Sequence, residues 1–245
     1  MPRLSVCELG TMAYAEALEL QRAAARGRIS GAFEEDLLLL VEHPPVVTLG
    51  RSSKEKHLLA SPELLAARGV ELHEVERGGD VTFHGPGQLV GYPIIDLKRH
   101  RQDLHWYLRQ VEEALIRALV PMGIEAGRSA GYTGVWTGGR KIASIGVHAR
   151  DWVTWHGFAL NVTTDLDWFD LIVPCGIDAV TMTSIAAELE RGAEAGVHTD
   201  VPPKGNLGRL ARAHVAEAFG EVFSLDVTPL DPAALERVAA SVGSV

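Results

Sequence analysis

The longest unbroken apolar run in the chain, Leu37 to Val41, has no polar face, which predicts a central strand buried on both sides. Around it the pattern switches between strand-like alternation and helical spacing. Leu4 to Leu9 predicts a short strand. Thr11 is placed to cap a helix to about Arg26, with Met12, Ala15, Leu18 and Ala25 near one face, and Gly27 to Gly31 reads as the loop that follows. Pro44 and Pro45 interrupt the central strand, and Val46 to Leu49 is expected to resume it. Ser61-Pro62 has the form of an N-cap followed by proline at the first helical position, opening a helix to about Arg68. Leu72 to Val75 is a weak strand.

The clearest helix begins at Asp103 and runs to about Met122. Leu104, Tyr107, Leu108, Val111, Leu115, Ala118, Leu119 and Met122 recur with helical spacing and predict a face packed on the sheet. Three strands follow, Tyr132 to Thr137, Arg140 to Ala149 and Trp155 to Val162, the first two joined by a Gly138-Gly139 turn. In the acidic run after Asn161, Trp168 and Phe169 are the residues expected to pack beneath the loop. Ser184 to about Arg191 predicts a short helix, residues 192–205 a surface loop rich in Gly and Pro, and Asn206 to Phe219 and Asp231 to Val242 two amphipathic helices. Strands interleaved with helices predict an α/β chain. One domain is expected over residues 1–245, because the piece after the loop is small to fold alone.

Charge narrows the function. The 245 residues hold 32 acidic and 23 basic side chains, a formal net charge of −9, and no long basic run, which speaks against a nucleic-acid footprint. Short basic groups remain, Arg51, Lys54 and Lys56 among them. No window approaches the roughly 20 apolar residues of a membrane span. The N-terminus has no signal-like apolar core, and two cysteines make no disulfide framework, so a reduced, cytoplasmic setting is the expectation.

Two side chains whose reactivity depends on their surroundings, Lys141 and Cys175, bracket a long stretch of the chain. Period-two alternation puts Lys141 on one face with Ala143, Ile145 and Val147, either as an edge residue that snorkels or as a partly desolvated functional amine. Cys175 sits in a Pro-Cys-Gly turn, whereas Cys7 lies among apolar neighbours and reads as a small buried hydrophobe. The run Arg77 to Leu97 carries five glycines, more than one hairpin needs, which suggests a substrate-holding loop, and it lacks the spacing of a phosphate-binding P-loop. The histidines are not spaced as a metal site.

Three segments, RGGDVTFHGPGQ at Arg77 to Gln88, GRKIASIGVH with HGFALNV between Gly139 and Val162, and VPCGI at Val173 to Ile177, together resemble the octanoyltransferases of lipoate biosynthesis. The resemblance covers most of Leu37 to Leu189 and implies a single catalytic domain like that of lipoate and biotin protein ligases, α/β of the α+β type, with a mixed β-sheet flanked by helices. It implies that Cys175 is the nucleophile carrying the acyl group and Lys141 the residue that activates it. It assigns a substrate-binding loop to Arg77, Gly78, Gly79, Asp80, Val81, Thr82, Phe83 and His84, and further contacts to Ser144, Ile145 and Gly146 and to Gly157, Phe158 and Ala159. It also implies octanoyl transfer from acyl carrier protein to a lysine of lipoyl domains or glycine-cleavage H protein, by a monomer that needs neither ATP nor a metal. A non-catalytic carrier-binding module, an ATP-using ligase and a cysteine hydrolase are the competing readings.

The physical chemistry of the pair agrees. An ammonium about 4 Å from a thiolate stabilises it by about 4 kcal/mol at an effective dielectric near 20, before desolvation is subtracted. His84 is expected either to hydrogen-bond Lys141 or Cys175 or to hold its own HGPGQ loop. His43 and His156 are expected to be structural. The row Ala143, Ile145 and Val147 is expected to border an apolar slot, Arg51, Arg77 and Arg140 to steer acidic partners, and Gly176 or the glycine-rich loop to offer oxyanion amides.

Overall fold

The computed structural model describes residues 2–197 and 202–242. Its centre is an eight-stranded mixed sheet ordered β11-β1-β2-β6-β10-β9-β8-β7. These strands are β1 (Arg3–Thr11), β2 (Asp36–Glu42), β6 (Gln88–Ile94), β7 (Gly127–Ser129), β8 (Tyr132–Thr137), β9 (Arg140–Arg150), β10 (Val153–Asn161) and β11 (Asp226–Pro229). β1 pairs in parallel with β2 and β11, and every other pairing in this sheet is antiparallel. A second, three-stranded sheet is ordered β4-β3-β5, from β3 (Val46–Leu49), β4 (Glu71–Glu74) and β5 (Thr82–His84).

The apolar run behaves as its composition requires. In β2, Leu38 and Leu40 face a core built with α3 (Leu104–Leu119) and α5 (Lys204–Phe223), while Leu37, Leu39 and Val41 face a second core with α1 (Tyr14–Ser30) and α6 (Pro232–Val242). Both cores remove large apolar areas from water at about 25 cal/mol per Å2, which gives the sheet its driving force. α3 is capped as predicted, Asp103 accepting from the Trp106 N–H at 3.0 Å. Its stripe is buried except at Leu104, which is exposed, and Leu108, which is half-buried. Ser61 likewise accepts from the Leu64 N–H at 3.3 Å and opens α2 (Pro62–Ala67). Phe219 of α5 stacks on Phe158 at 5.5 Å, so this helix joins the main core.

Three expectations change. Thr11 caps nothing: it ends β1, and the helix starts behind Ala13 without a side-chain cap. Gly27 is not loop. α1 runs through it to Ser30 and stops at Gly31, whose φ of 80° is the left-handed conformation that terminates helices. The extra turn is held by a buried ion pair, Arg28 to Asp36 at 3.1 Å, a tertiary contact that outweighs the low helix propensity of glycine. Pro44 and Pro45 do not merely interrupt a strand either, because β3 leaves the large sheet and joins the small one.

At residues 192–205, helix α4 (Ile185–Glu194) takes the first part and α5 the last two residues, while 198–201 lie outside the described residues. Trp168 and Phe169 do pack beneath the acidic run, against Phe83, at 5.4 and 5.8 Å between ring centroids. That packing ties the small sheet to the segment that delivers Cys175.

Candidate active site

The small sheet and its loops cover one face of the large sheet, and between them lies a cavity of about 180 Å3. Lys141, Cys175 and Ser144 line one end of it. Lys141 Nζ lies 3.1 Å from Cys175 Sγ and donates to it, and Ser144 Oγ is 3.6 Å from the same sulfur. Lys141 is 1 % exposed, so this amine is a buried one. Its stem passes over Gly134, where an added Cβ would stand 2.8 Å from Lys141 Cε, and its ammonium lies 5.4 Å from the Trp136 ring centroid, within cation–π range.

Lys141 reaches the cavity because of a β-bulge. Val135 pairs with Ala143 and Trp136 with Lys141, so Ile142 is an extra residue on β9 that reverses the alternation. Strict period two puts Lys141 with Ala143, Ile145 and Val147. Instead these three pack toward the α3 and α5 core, and Lys141 shares the cavity with Ser144. Of that row Ile145 borders the slot and Ala143 and Val147 do not, and its apolar side is completed by Val90, Phe158, Ala159 and Ile177. The backbone of Lys141 is fixed on both sides, its N–H donating to Thr181 O at 2.8 Å and its C=O accepting from the Thr183 N–H at 2.9 Å.

Cys175 occupies a tight turn, Pro174–Gly176, with φ 56° and ψ 17°. A non-glycine residue in the left-handed region is uncommon and stores of order 1–3 kcal/mol when tertiary structure enforces it. Here the Cys175 N–H donates to Val81 O at 2.9 Å, and the Gly176 N–H closes the turn onto Val173 O at 2.9 Å. Both amides are thus engaged, and Gly176 does not offer the free oxyanion donor expected of it. Cys7 contrasts with this: it is fully buried, and burial pushes its thiol up to about 11.

The other end of the cavity is aromatic and histidine-rich. His84 Nδ1–H donates to Gln88 Oε1 at 2.8 Å, so the ring holds its own loop and not Lys141 or Cys175. Gln88 passes the connection on, donating to Asn161 Oδ1 at 2.9 Å, and Asn161 donates to Thr183 O at 2.9 Å. His43 donates to Met12 O and accepts from the Tyr92 hydroxyl, both at 2.7 Å. Burial pushes His84 down to about 3 and His43 to about 4, leaving both rings neutral. His156, whose φ is 56°, lines the same end, and its Nε2 has no hydrogen-bond partner.

Of the loop predicted from the sequence, Arg77, Gly79, Asp80, Thr82 and His84 line the cavity, as do Ser144 to Gly146 and Gly157 to Ala159. Gly78, Val81 and Phe83 do not. The Gly78 N–H ties the loop to Val147 O, while Val81 and Phe83 point into the small-sheet core. Arg77 is buried with its guanidinium on Thr48, at 2.7 Å to the carbonyl, so it braces the loop and steers nothing. Arg140 is likewise committed, to Glu188 at 2.8 Å. Among the described residues no group of three metal-type ligands occurs, and no helix is long and apolar enough to cross a membrane.

The profile of the lipoyl protein ligase A/B catalytic domain matches residues 13–198. The chain belongs to that family. Within the lipoyl ligase A/B family it is 57% identical over 199 residues to an octanoyltransferase of Acidobacterium capsulatum, covering 76% of this chain and 80% of the relative. It is 46% identical over 218 residues to an octanoyltransferase of Nostoc sp., covering 89% and 91%. The enzyme is an acyltransferase of the octanoyltransferase class, acting in lipoate biosynthesis. Solved structures of the same fold include a bi-partite lipoate protein ligase from Thermoplasma acidophilum, with a TM-score of 0.70 at 17% identity over 99% of this chain and 92% of that one. A lipoate-protein ligase A bound with ATP gives a TM-score of 0.70 at 18% identity, over 98% and 93%. At those identities the likeness is one of fold alone.

Sequence reasoning missed several members of this lipoyl ligase A/B site. Tyr14, Tyr92 and Tyr132 line the cavity from three separate elements, and His57 stands behind the Cys175 turn. Tyr92 adjoins Gly91 in the glycine-rich run, a signal that was available. Tyr14 and His57 carry none.

Proposed function

We propose that this chain transfers an octanoyl group from acyl carrier protein to a specific lysine of lipoyl domains, or of glycine-cleavage H protein, through a thioester on Cys175. The observation that carries the reading is the 3.1 Å contact between a buried lysine amine and a partly exposed cysteine sulfur in a half-open cavity. The Cys175 thiolate attacks the donor carbonyl, the tetrahedral intermediate collapses, and the C–S bond to the phosphopantetheine sulfur breaks. Lys141 delivers its proton to that departing sulfur. The neutral acceptor amine then attacks the Cys175 thioester, Lys141 takes the amine proton, and the thiolate leaves as the amide forms. The lysine–cysteine pair returns to its starting charge state. Thioester to amide runs downhill, so the reading needs no ATP and no metal.

The cavity supports the acyl group in size and lining. A dry apolar hole of about 150 Å3 takes a benzene, and 180 Å3 suits a group near eight carbons. Burying six methylenes and a methyl is worth up to about 5 kcal/mol. A cytoplasmic monomer remains the reading for setting and assembly.

The test is incubation with octanoyl-carrier protein followed by intact mass spectrometry. Wild type should gain one octanoyl group on Cys175, removable by hydroxylamine or by a lipoyl domain, and without ATP; Cys175→Ser should gain no hydroxylamine-labile group. A wild-type protein that forms no adduct, or a Cys175→Ser variant fully active with ATP and free octanoate, sinks the transferase mechanism. The second outcome would make the chain an adenylating ligase, the chemistry suggested by the ATP-bound ligase that shares its fold.

A further inference from the structure

Against the Cys175 turn, at Gly176, sits a buried pair that the acyl-transfer steps do not use. His57 Nδ1–H donates to Asp80 Oδ2 at 2.7 Å, and the two side chains are only 8% and 10% exposed. Each partner also grips the turn through the backbone. The other Asp80 oxygen accepts from the Val81 N–H at 2.7 Å, and Val81 O accepts the Cys175 N–H at 2.9 Å. The His57 C=O accepts the Val173 N–H at 2.8 Å, two residues before the cysteine.

The turn is seated directly on the pair. A Cβ built on Gly176 would stand 2.5 Å from Asp80 Oδ2 and 2.9 Å from His57 Nδ1, which leaves no room for a side chain. Gly176 itself has a φ of 65°. Two consecutive residues therefore hold left-handed conformations, one of them a cysteine, against a wall made by an imidazole and a carboxylate. Such a conformation persists only where its surroundings over-determine it. Asp80 also lines the cavity, so the same carboxylate joins the glycine-rich loop to the nucleophile.

We propose that His57 and Asp80 are positioning residues that clamp the Cys175 turn in its left-handed form and thereby aim the sulfur at Lys141. This rests on the acyl-transfer reading for its consequence in turnover, but the aim of the sulfur can be read without any acyl substrate. The donated hydrogen bond keeps the imidazole in one orientation, and the Asp80–Val81 link transmits that orientation to the Cys175 amide. Loss of the bond frees the turn to relax toward an ordinary φ, which swings Sγ away from the amine. A misplacement of about 1 Å at a reacting atom costs on the order of a hundred-fold in rate.

The test compares His57→Leu, which removes the donor, with His57→Asn, whose amide can stand where Nδ1–H stood. Each is made in the wild-type and Lys141→Ala backgrounds. Two readouts are taken: the rate of Cys175 alkylation by iodoacetamide at neutral pH, and the single-turnover rate of acylation by a small octanoyl thioester. His57→Leu should slow both about ten- to a hundred-fold with little change in the thioester's KM, and His57→Asn should recover most of the loss. In the Lys141→Ala background the same substitution should cost less than three-fold, because there is no amine left to aim at. Equal losses in both backgrounds, or wild-type alkylation by His57→Leu, overturns the clamp. If His57→Leu does not fold, Asp80→Asn in the same cycle decides, by the same two criteria. Should wild-type Cys175 take up no octanoyl group, the transfer reading fails while the alkylation cycle still judges the clamp.

Discussion

The cavity has two ends that differ in composition and in chemistry. At one end Lys141 Nζ donates to a sulfur at 3.1 Å, and Cys175 lies partly open to the cavity. At the other, His84 lines the cavity with His43 packed edge-on against it, both buried, hydrogen-bonded to Gln88 and to Met12 and Tyr92, and pushed down to about 3 and 4. Histidines are the usual bases of acyl transfer, so composition alone would favour the second end. The geometry does not. Burial lowers the proton affinity of both rings and makes them weak bases, whereas the lysine's contact is with the group that reacts in the proposed transfer. What separates the two ends is therefore the partner each polar atom faces.

The largest expected effect lies at the reactive end. Lys141→Ala leaves Cys175 without its buried amine and removes the proposed proton donor for the departing thiol, effects worth typically 10²- to 10⁴-fold for a positioned acid or base. The acylation rate, measured by quenched mass spectrometry, should fall into that range while the KM for the donor changes little. Acylation at the wild-type rate would erase the contrast between the two ends.

A smaller effect is expected of His84→Asn, whose amide can still donate to Gln88 and which removes only the titration. The variant should keep neutral-pH activity within ten-fold. Stability should respond to acid instead. The ordinary histidine value is 6.5, and burial brings His84 to about 3, so on acidification the unfolded chain binds a proton well before the folded one. Stability from this neutral ring is complete above pH 6.5 and is lost progressively as pH falls toward about 3, by up to about 1.4 kcal/mol per unit. Thermal denaturation between neutral pH and pH ~4 should show a shallower decline for His84→Asn than for wild type. If His84→Asn loses activity as severely as Lys141→Ala, the histidine end takes part in chemistry.

Much of this was legible in the chain, and the gaps have physical causes. Strand β2 and helix α3 follow from composition and spacing, because each makes its core contacts with its own repeat. Lys141 and Cys175 stand out by their chemistry in glycine-bounded segments. Which face Lys141 takes was not legible, since one extra residue at Ile142 reverses the alternation and only the pairing with β8 shows it. The continuation of α1 through Gly27 depends on Arg28 meeting Asp36. His57 and Tyr14 reach the site from elements far from the motifs, through packing that no local pattern records.

The weakest expected effect concerns how the reactive end meets its partner. Of the three arginines expected to steer, Arg77 and Arg140 are spent on internal contacts, and Arg51 remains exposed with Lys54 and Lys56 close by in sequence. That segment adjoins the cavity loop, the Arg51 N–H donating to Arg77 O at 3.0 Å and the Ser52 N–H to Gly79 O at 3.1 Å. In a chain of net charge −9 it is a local cationic edge, suited to a phosphate-bearing donor and unfavourable to an incoming lysine. Arg51→Glu with Lys54→Glu should lower kcat/KM for the carrier-protein donor about three- to ten-fold, more at low salt than at high. A small octanoyl thioester should react as before, because Lys141 and Cys175 are untouched. An equal loss with both donors would move the effect from encounter to the site itself, and an unchanged protein-donor rate would leave these cations as solvated surface.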